Sequence, residues 1–379
     1  MKIGIDARLY GPEHTGLGRY VTNLVDNLLK LDKQNFYVLF VNSKHQGDFQ
    51  QSIKLKVVLV DIPIYGFLEQ LVLPFIFSKE KLDLLHVPHF NAPLLYPGKF
   101  VITLHDLIKH ASKGPATTTR PHWQHQIIRL AYHLETFIVS LRARAFIVPT
   151  EYVKNDIIKH LRIPDSKVFV TYESFDKKIK KTKLPVSEAN ELLNKYDITQ
   201  PFLVYTGNLY PHKNVDLLME AVVEHNKKKE VDLCLAISCA RSVFYSRAEE
   251  KIRQLGGEKY IKLLGFVDDT ELGKLYSLAL CLVHPSKMEG FGLTGLEAMG
   301  VGLPVVAARS SCLPEVYGSA CLYFNPDSLQ SLIEAIEKII KDVDLRVHLS
   351  LLGQKQVKKY SWTKMAKQTQ NIYQSFESK

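Results

Sequence analysis

Apolar residues recur along this chain in two rhythms. Short strand-like runs at 2–6, 37–41, 57–60, 82–86, 100–104 and 145–149 are separated in most cases by stretches with helical spacing, and 167–171 reads as one more strand. The rhythm then restarts, with strand-like runs at 202–206, 231–238, 261–264, 278–284 and 305–308. Strands alternating with helices predict parallel sheets covered on both faces, because a parallel crossover needs a long connection to carry the chain back. Two such series predict two doubly wound α/β domains.

The helical stretches sharpen this picture. Val21, Leu24, Val25, Leu28 and Leu29 share one face, and 329–340 is a second amphipathic helix. Residues 66–81 put Phe67, Leu71, Val72, Phe75 and Ile76 near one face with Pro74 breaking the pattern, which predicts either a core helix or a surface element that touches lipid. A longer amphipathic helix covers 123–144, with His122, His125, Arg129, Arg142 and Arg144 on or beside it. Thr150 is placed to cap the helix that follows. Between the two series, 176–183 (DKKIKKTK) carries charge without apolar periodicity and reads as an exposed linker. The predicted domains are 1–178 and 179–360, followed by a terminal helical segment, 361–379.

Composition narrows the class. At 379 residues and 46% apolar content the chain suits two full cores, which excludes disordered and collagen-like proteins. Its first residues, MKIGIDARLYG, hold no apolar signal region, and no apolar run approaches the ~20 residues of a membrane span, so a cytoplasmic protein is expected. Five cysteines without metal-ligand spacing fit a reducing compartment, and Cys234, Cys281 and Cys321 fall in core-like runs. The net charge of +10 suits nucleic acid, an anionic membrane or a phosphorylated ligand. Scattered basic residues and the absence of a zinc-finger, homeodomain or RNP-like pattern count against nucleic acid.

The densest chemistry lies at 287–307, KMEGFGLTGLEAMGVGLPVVA. Gly290 and Gly292 bracket Phe291 where the backbone turns into a helix at 293–299, whose first amides and dipole suit a phosphate. Glu289 precedes that anion site and Glu297 lies one turn into the helix. Two carboxylates beside an anion are best used as acceptors for sugar hydroxyls. Upstream, Lys213 follows a strand in GNLYPHKN. His105 and Asp106 end another strand, where open parallel sheets place ligands, and His105 there suits an acid, a base, a phosphate donor or a turn residue. His86 and His89, in HVPHF, are secondary candidates for the same crevice. The loop 14–20 contains Gly16, Gly18, Arg19 and Tyr20 ahead of the first helix, and lacks the complete G-x-G-x-x-G of a hydride-transfer domain. Asp342-Val343-Asp344 lies among helices and is assigned no metal.

The paired Glu289 and Glu297, with GFG after the first and Leu-Glu-Ala-Met around the second, resemble the retaining glycosyltransferases of family 4, which have the GT-B fold. The resemblance extends to SSCLPEV at 310–316 and from the glycine loop to the terminal helix. It implies two Rossmann-like domains facing a cleft, the last helix crossing back to the first domain. A nucleotide sugar, UDP- or GDP-linked, would be held by Gly290, Phe291, Gly292, Leu293, Thr294 and Glu297, by Phe266 and Val267 at the base, and by Lys213. Where the family has an arginine, this chain has Asn208, so His212 is the alternative second donor. Where the family has Asn-Gly-Val-Asp, it has Glu173-Ser174-Phe175-Asp176. Glu289, Lys213 and His105 are the implied catalytic residues, with Gly16, Gly18, Arg19, Tyr20 and Asp106 on the acceptor side. The resemblance further implies hexose transfer with retention to a glycan, lipid-linked or small-molecule acceptor, with no metal or other cofactor and with peripheral contact to an anionic membrane as a further partner. A nucleotide-sugar epimerase of the same fold, or a basic nucleic-acid or membrane binder, are the competing classes.

Overall fold

The computed structural model describes residues 1–50, 52–64, 66–108, 122–175, 179–228, 232–239 and 243–377. They divide into two units: the chain up to Glu173 together with Ser361 onward, and the chain from Ser174 to Tyr360.

In the first unit, β1 (Lys2–Asp6), β2 (Phe36–Val41), β3 (Leu55–Leu59), β4 (Leu84–Val87), β5 (Phe100–Thr103), β6 (Ala145–Val148) and β7 (Val168–Val170) form one parallel sheet. The order is β3-β2-β1-β4-β5-β6-β7. Such strands are apolar on both faces because helices cover both, as FYVLFV in β2 illustrates. One core layer joins Ile3, Ile5, Leu24 and Leu28 to Met365, Ile372 and Tyr373 of the terminal helix Trp362–Gln374. The Tyr373 hydroxyl lies 2.5 Å from His86 Nδ1.

The second unit repeats the plan with β8 (Phe202–Thr206), β9 (Cys234–Ser238), β10 (Ile261–Gly265), β11 (Cys281–His284), β12 (Val305–Ala308) and β13 (Leu322–Phe324). Its order is β10-β9-β8-β11-β12-β13, again all parallel. Strand order reverses beside β1 and β4 in one sheet and beside β8 and β11 in the other. Open α/β sheets take ligands at the carboxyl ends of such reversal points.

Several elements depart from the sequence-based expectation. The first helix, Thr15–Leu31, begins before the glycines rather than after them. Gly16, Gly18, Arg19 and Tyr20 therefore belong to its opening turns. A Cβ on Gly18 would lie 2.0 Å from the Gly11 carbonyl oxygen, so this glycine is required by close backbone packing. The helix Phe67–Lys79 runs through Pro74. Leu73 and Phe77, both fully buried, flank the proline, and burial worth ~1.5–3 kcal/mol per side chain offsets its ~3 kcal/mol cost. Residues 179–182 of the expected exposed linker are docked: Ile179 is buried and the Thr182 amide donates to Ser277 Oγ at 3.0 Å. The expected segment at 176–178 lies outside the described residues, as do 109–121 of the stretch around the long amphipathic helix. The Thr150 cap is present, accepting from the Val153 amide at 3.2 Å, and Asp342 caps the helix Val343–Gln356.

Two helices of the first unit also carry a stripe of apolar side chains outward. On Phe67–Lys79 the exposed stripe is Leu68, Leu71, Val72 and Phe75, whereas Glu69 points inward to Arg8 at 2.5 Å. On His122–Arg142 it is Ile127, Leu130, Leu134, Phe137 and Leu141. Both helices border the same loop. Gln70 donates to Asn91 Oδ1 and the Ala92 carbonyl, and Arg142 donates to the carbonyls of Leu94 and Tyr96. No described helix is long and apolar enough to cross a membrane.

Candidate active site

The reversal point of the second sheet brings together two of the sequence-predicted residues, Lys213 and Glu289. The chain leaves β8 through Gly207, turns through Pro211–Lys213, and brings Lys213 toward the end of β11. Leaving β11, it passes Pro285 and Ser286 and reaches Glu289. Lys213 Nζ donates to Glu289 Oε1 at 2.6 Å. His284 Nε2 lies 2.9 Å from the same oxygen. Burial opposes charge on Glu289, but Lys213 and His284 outweigh it and hold the carboxyl well below the usual carboxylate range. Both of these bonds fall on Oε1, and an ionised carboxylate offers its second oxygen, Oε2, as a further acceptor.

Three residues on, Gly292 adopts a left-handed φ of 89° and opens the helix Leu293–Gly300. A side chain there would meet the Tyr317 hydroxyl at 2.7 Å and Leu313 at 2.8 Å, so both conformation and space require glycine. The first amides of this helix, at Leu293 and Thr294, have no partner within it, as at every helix start. Gly290 precedes this turn, and Phe291 points inward, 4% exposed, its ring edge-on to Tyr360. Glu297 is 2% exposed, one turn into the helix. At the end of β10, Gly265 has φ 73°, Phe266 is 80% exposed and Val267 is buried.

The surroundings of two further donor-side candidates are defined. Burial and the neighbouring Lys213 bring the His212 imidazole down to about 4, so His212 is neutral at neutral pH and adds no positive charge. Its ring stacks on Tyr210, and its carbonyl accepts the Lys287 amide at 2.8 Å. The Asn208 carbonyl accepts from the Tyr205 hydroxyl at 2.6 Å.

In the first unit the structure brings Tyr20 and His105 together, ring centroids 4.6 Å apart. Tyr20 is 1% exposed and its hydroxyl lies 3.0 Å from Thr103 Oγ1. Both His105 nitrogens are engaged, Nδ1 with Glu173 Oε1 at 2.9 Å and Nε2 with the Pro88 carbonyl at 3.2 Å. Burial opposes protonation of His105, yet the bonds to Glu173 and Pro88 raise it above the usual histidine range. Asp106 accepts from the Ile108 amide at 2.9 Å. His86 and His89 are core residues rather than crevice residues. His86, 0% exposed, spans Tyr373 and Thr103, and burial lowers it to about 3. His89 lies 3.3 Å from Asp6. Asp6, Glu69 and His89 come close enough together to suggest a metal, but the Arg8 guanidinium occupies that space, 2.6 Å from Asp6 and 2.5 Å from Glu69.

Sequence reasoning missed His284, Tyr317 and Glu173. His284 closes an apolar strand and reads as part of it. Tyr317 is one of many aromatics. Glu173 left one signal, its departure from Asn-Gly-Val-Asp.

Two Rossmann-like parallel sheets, with a carboxylate, a lysine and a glycine-opened helix at the second reversal point, suit an enzyme that binds a nucleotide sugar. Residues 189–356 match the family model described as glycosyl transferases group 1, and 14–178 match that of glycosyltransferase family 4. This chain belongs to that family of GT-B glycosyltransferases. It is 29% identical over 296 residues to O-antigen chain mannosyltransferase B of Escherichia coli, a match spanning 76% of this chain and 73% of the relative. Among solved structures, sucrose-phosphate synthase from Thermosynechococcus elongatus superposes with a TM-score of 0.76 at 18% identity, covering 99% of this chain and 98% of that one. Anabaena HepE in complex with UDP-glucose gives 0.73 at 18% identity, with 99% of each chain covered.

Proposed function

We propose that this glycosyltransferase moves a hexose, of mannose or glucose type, from a UDP- or GDP-linked donor to a glycan, lipid-linked or small-molecule acceptor, with retention of anomeric configuration and without a metal. The observation that carries the reading is the ionised Glu289, held by Lys213 immediately ahead of the Gly292 helix start. When the bond to the anomeric carbon breaks, positive charge builds on the sugar and negative charge on the departing diphosphate. The amides of Leu293 and Thr294 and the Lys213 ammonium would meet that negative charge with groups already in place, the task a divalent cation performs elsewhere. Glu289 Oε2 would accept from sugar hydroxyls, and Glu297 from the ribose. A mannose donor is supported by the Escherichia coli relative, named a mannosyltransferase, and a UDP-sugar by the Anabaena structure, which holds UDP-glucose.

The first unit is the proposed acceptor side, through Gly16, Gly18, Arg19, Tyr20, His105 and Asp106. Its outward apolar stripes and the net charge of +10 support peripheral docking on an anionic membrane, where a lipid-linked acceptor would lie. Retention by front-face attack, assisted by the leaving phosphate, needs no carboxylate nucleophile beneath the anomeric carbon.

A turnover assay with NMR detection of the product anomer tests this reading. The expected outcome is a product with the donor's anomeric configuration, formed equally well in EDTA. Lys213→Ala should lower kcat about a hundredfold, as loss of one preorganised donor to a leaving anion does. An inverted product, or transfer abolished by EDTA, would overturn it.

A further inference from the structure

The hydrogen bonds around His284 fix where its protons lie. The Tyr317 hydroxyl donates to the Gly292 carbonyl at 2.6 Å, and a carbonyl oxygen is only an acceptor. Having one proton, that hydroxyl presents a lone pair to His284 Nδ1, 2.7 Å away, so Nδ1 must carry a hydrogen. On the other side, Nε2 faces the Glu289 carboxylate at 2.9 Å, and an ionised carboxylate likewise only accepts. Both ring nitrogens are therefore donors, as only in the imidazolium form. The ring is 4% exposed, so it acts through its neighbours rather than by touching a ligand.

We propose that His284 is a buried imidazolium and a positioning residue, tying Glu289 to the Gly292 end of the loop and supplying the second positive charge of the site. Lys213 and Glu289 alone form a neutral pair. With His284 charged, the cluster is net positive where a diphosphate would bind, so the charge sought at Asn208 and His212 lies on β11 instead. Of the other ionisable groups facing the cluster, burial keeps Tyr205 of β8, and Cys312 and Tyr317 at the two ends of the helix Leu313–Tyr317, protonated and neutral. His212, which also faces Glu289, is neutral, so among the described residues the charge within this hydrogen-bonded cluster lies on Lys213, Glu289 and His284. Nucleoside diphosphate affinity should accordingly fall as His284 loses its proton.

This inference rests on the diphosphate reading of the Gly292 turn, and its test separates the two. Long-range 1H–15N NMR of the full chain without ligand, assigned by His284→Gln, reads the ring directly. The expected spectrum at pH 7 shows both nitrogens protonated, and a neutral tautomer would overturn the inference whatever the protein binds. Titration with UDP and GDP then reads the charge. His284→Gln, and independently Tyr317→Phe, which removes the acceptor at Nδ1 while keeping the ring packed, should each weaken the bound nucleotide about tenfold at pH 7, the worth of one charge-assisted bond. The loss should vanish at pH values where wild-type His284 is neutral. Unchanged affinity and pH dependence in both variants would overturn the role, whereas no nucleotide binding by wild type would overturn the diphosphate reading alone.

Discussion

Glu289 and His105 show how single residues acquire a charge state from what surrounds them. Glu289 is partly buried yet ionised because Lys213 and His284 both point at one of its oxygens. His105 is drawn toward protonation because Glu173 accepts from Nδ1 and Pro88 from Nε2. A histidine raised in the folded state contributes stability that is complete below its unfolded pKa, about 6.5, and is lost as pH rises through its folded value. Glu173→Gln should therefore destabilise the protein most near pH 6, the difference from wild type shrinking in alkaline solution, as read by urea midpoints across that range. A difference that instead grows with pH would contradict the pairing. None of this is legible in the sequence: His105 and Glu173 are 68 positions apart, and no local pattern joins them.

At the scale of elements, the helix Leu293–Gly300 is shaped by what packs on it. A Cβ on Gly295 would fall 2.2 Å from the Tyr317 hydroxyl oxygen and 2.3 Å from the ring carbon that bears it. Gly295→Ala should cost ~1–3 kcal/mol by overpacking, measured by denaturant midpoint, and markedly less in a Tyr317→Ala background. Equal costs in the two backgrounds would mean that the helix does not feel the ring. Phe175 acts similarly on Gly300, where a Cβ would meet its ring at 2.6 Å. The outward stripes make their own prediction. Phe75→Ser with Phe137→Ser should reduce co-sedimentation with anionic vesicles severalfold while leaving nucleotide binding intact, and unchanged sedimentation would remove the membrane from the account.

Elements with strong periodicity are legible in advance. The β-runs, the helix at 293–300 and the Thr150 cap follow from pattern and chemistry. The start of the first helix is not, because two glycines, each costing about 1 kcal/mol in a helix, mimic a loop. Here the close approach of Gly18 to Gly11 overrides that propensity. The docked segment after residue 178 is misread for a related reason: its lysines dominate the composition, while Ile179 alone supplies the burial.

At the scale of the whole molecule, the order of six strands of the first sheet is repeated in the second, and in the second the candidate chemistry gathers where that order reverses. The two reversal points have diverged. In the first sheet the space is closed by Arg8 bridging Asp6 and Glu69, a buried network that serves the fold. In the second it is lined by Lys213, Glu289 and a helix start, groups whose chemistry suits the proposed anion next to hydroxyls. The family's donor motifs are legible because their residues are contiguous. The supports behind them, His284 and Tyr317, come from separate elements and emerge only in three dimensions.

The central claim is that this second reversal point holds the diphosphate of a nucleotide sugar. Thermal unfolding against a panel of UDP, GDP, UDP-glucose and GDP-mannose tests it most directly, since a ligand at a hundred times its Kd stabilises by about 2.7 kcal/mol. A higher Tm is expected with at least one nucleotide sugar and its parent diphosphate, a gain largely lost in Lys213→Ala and Glu297→Ala. No gain with any of the four, or an equal gain in both variants, would contradict it.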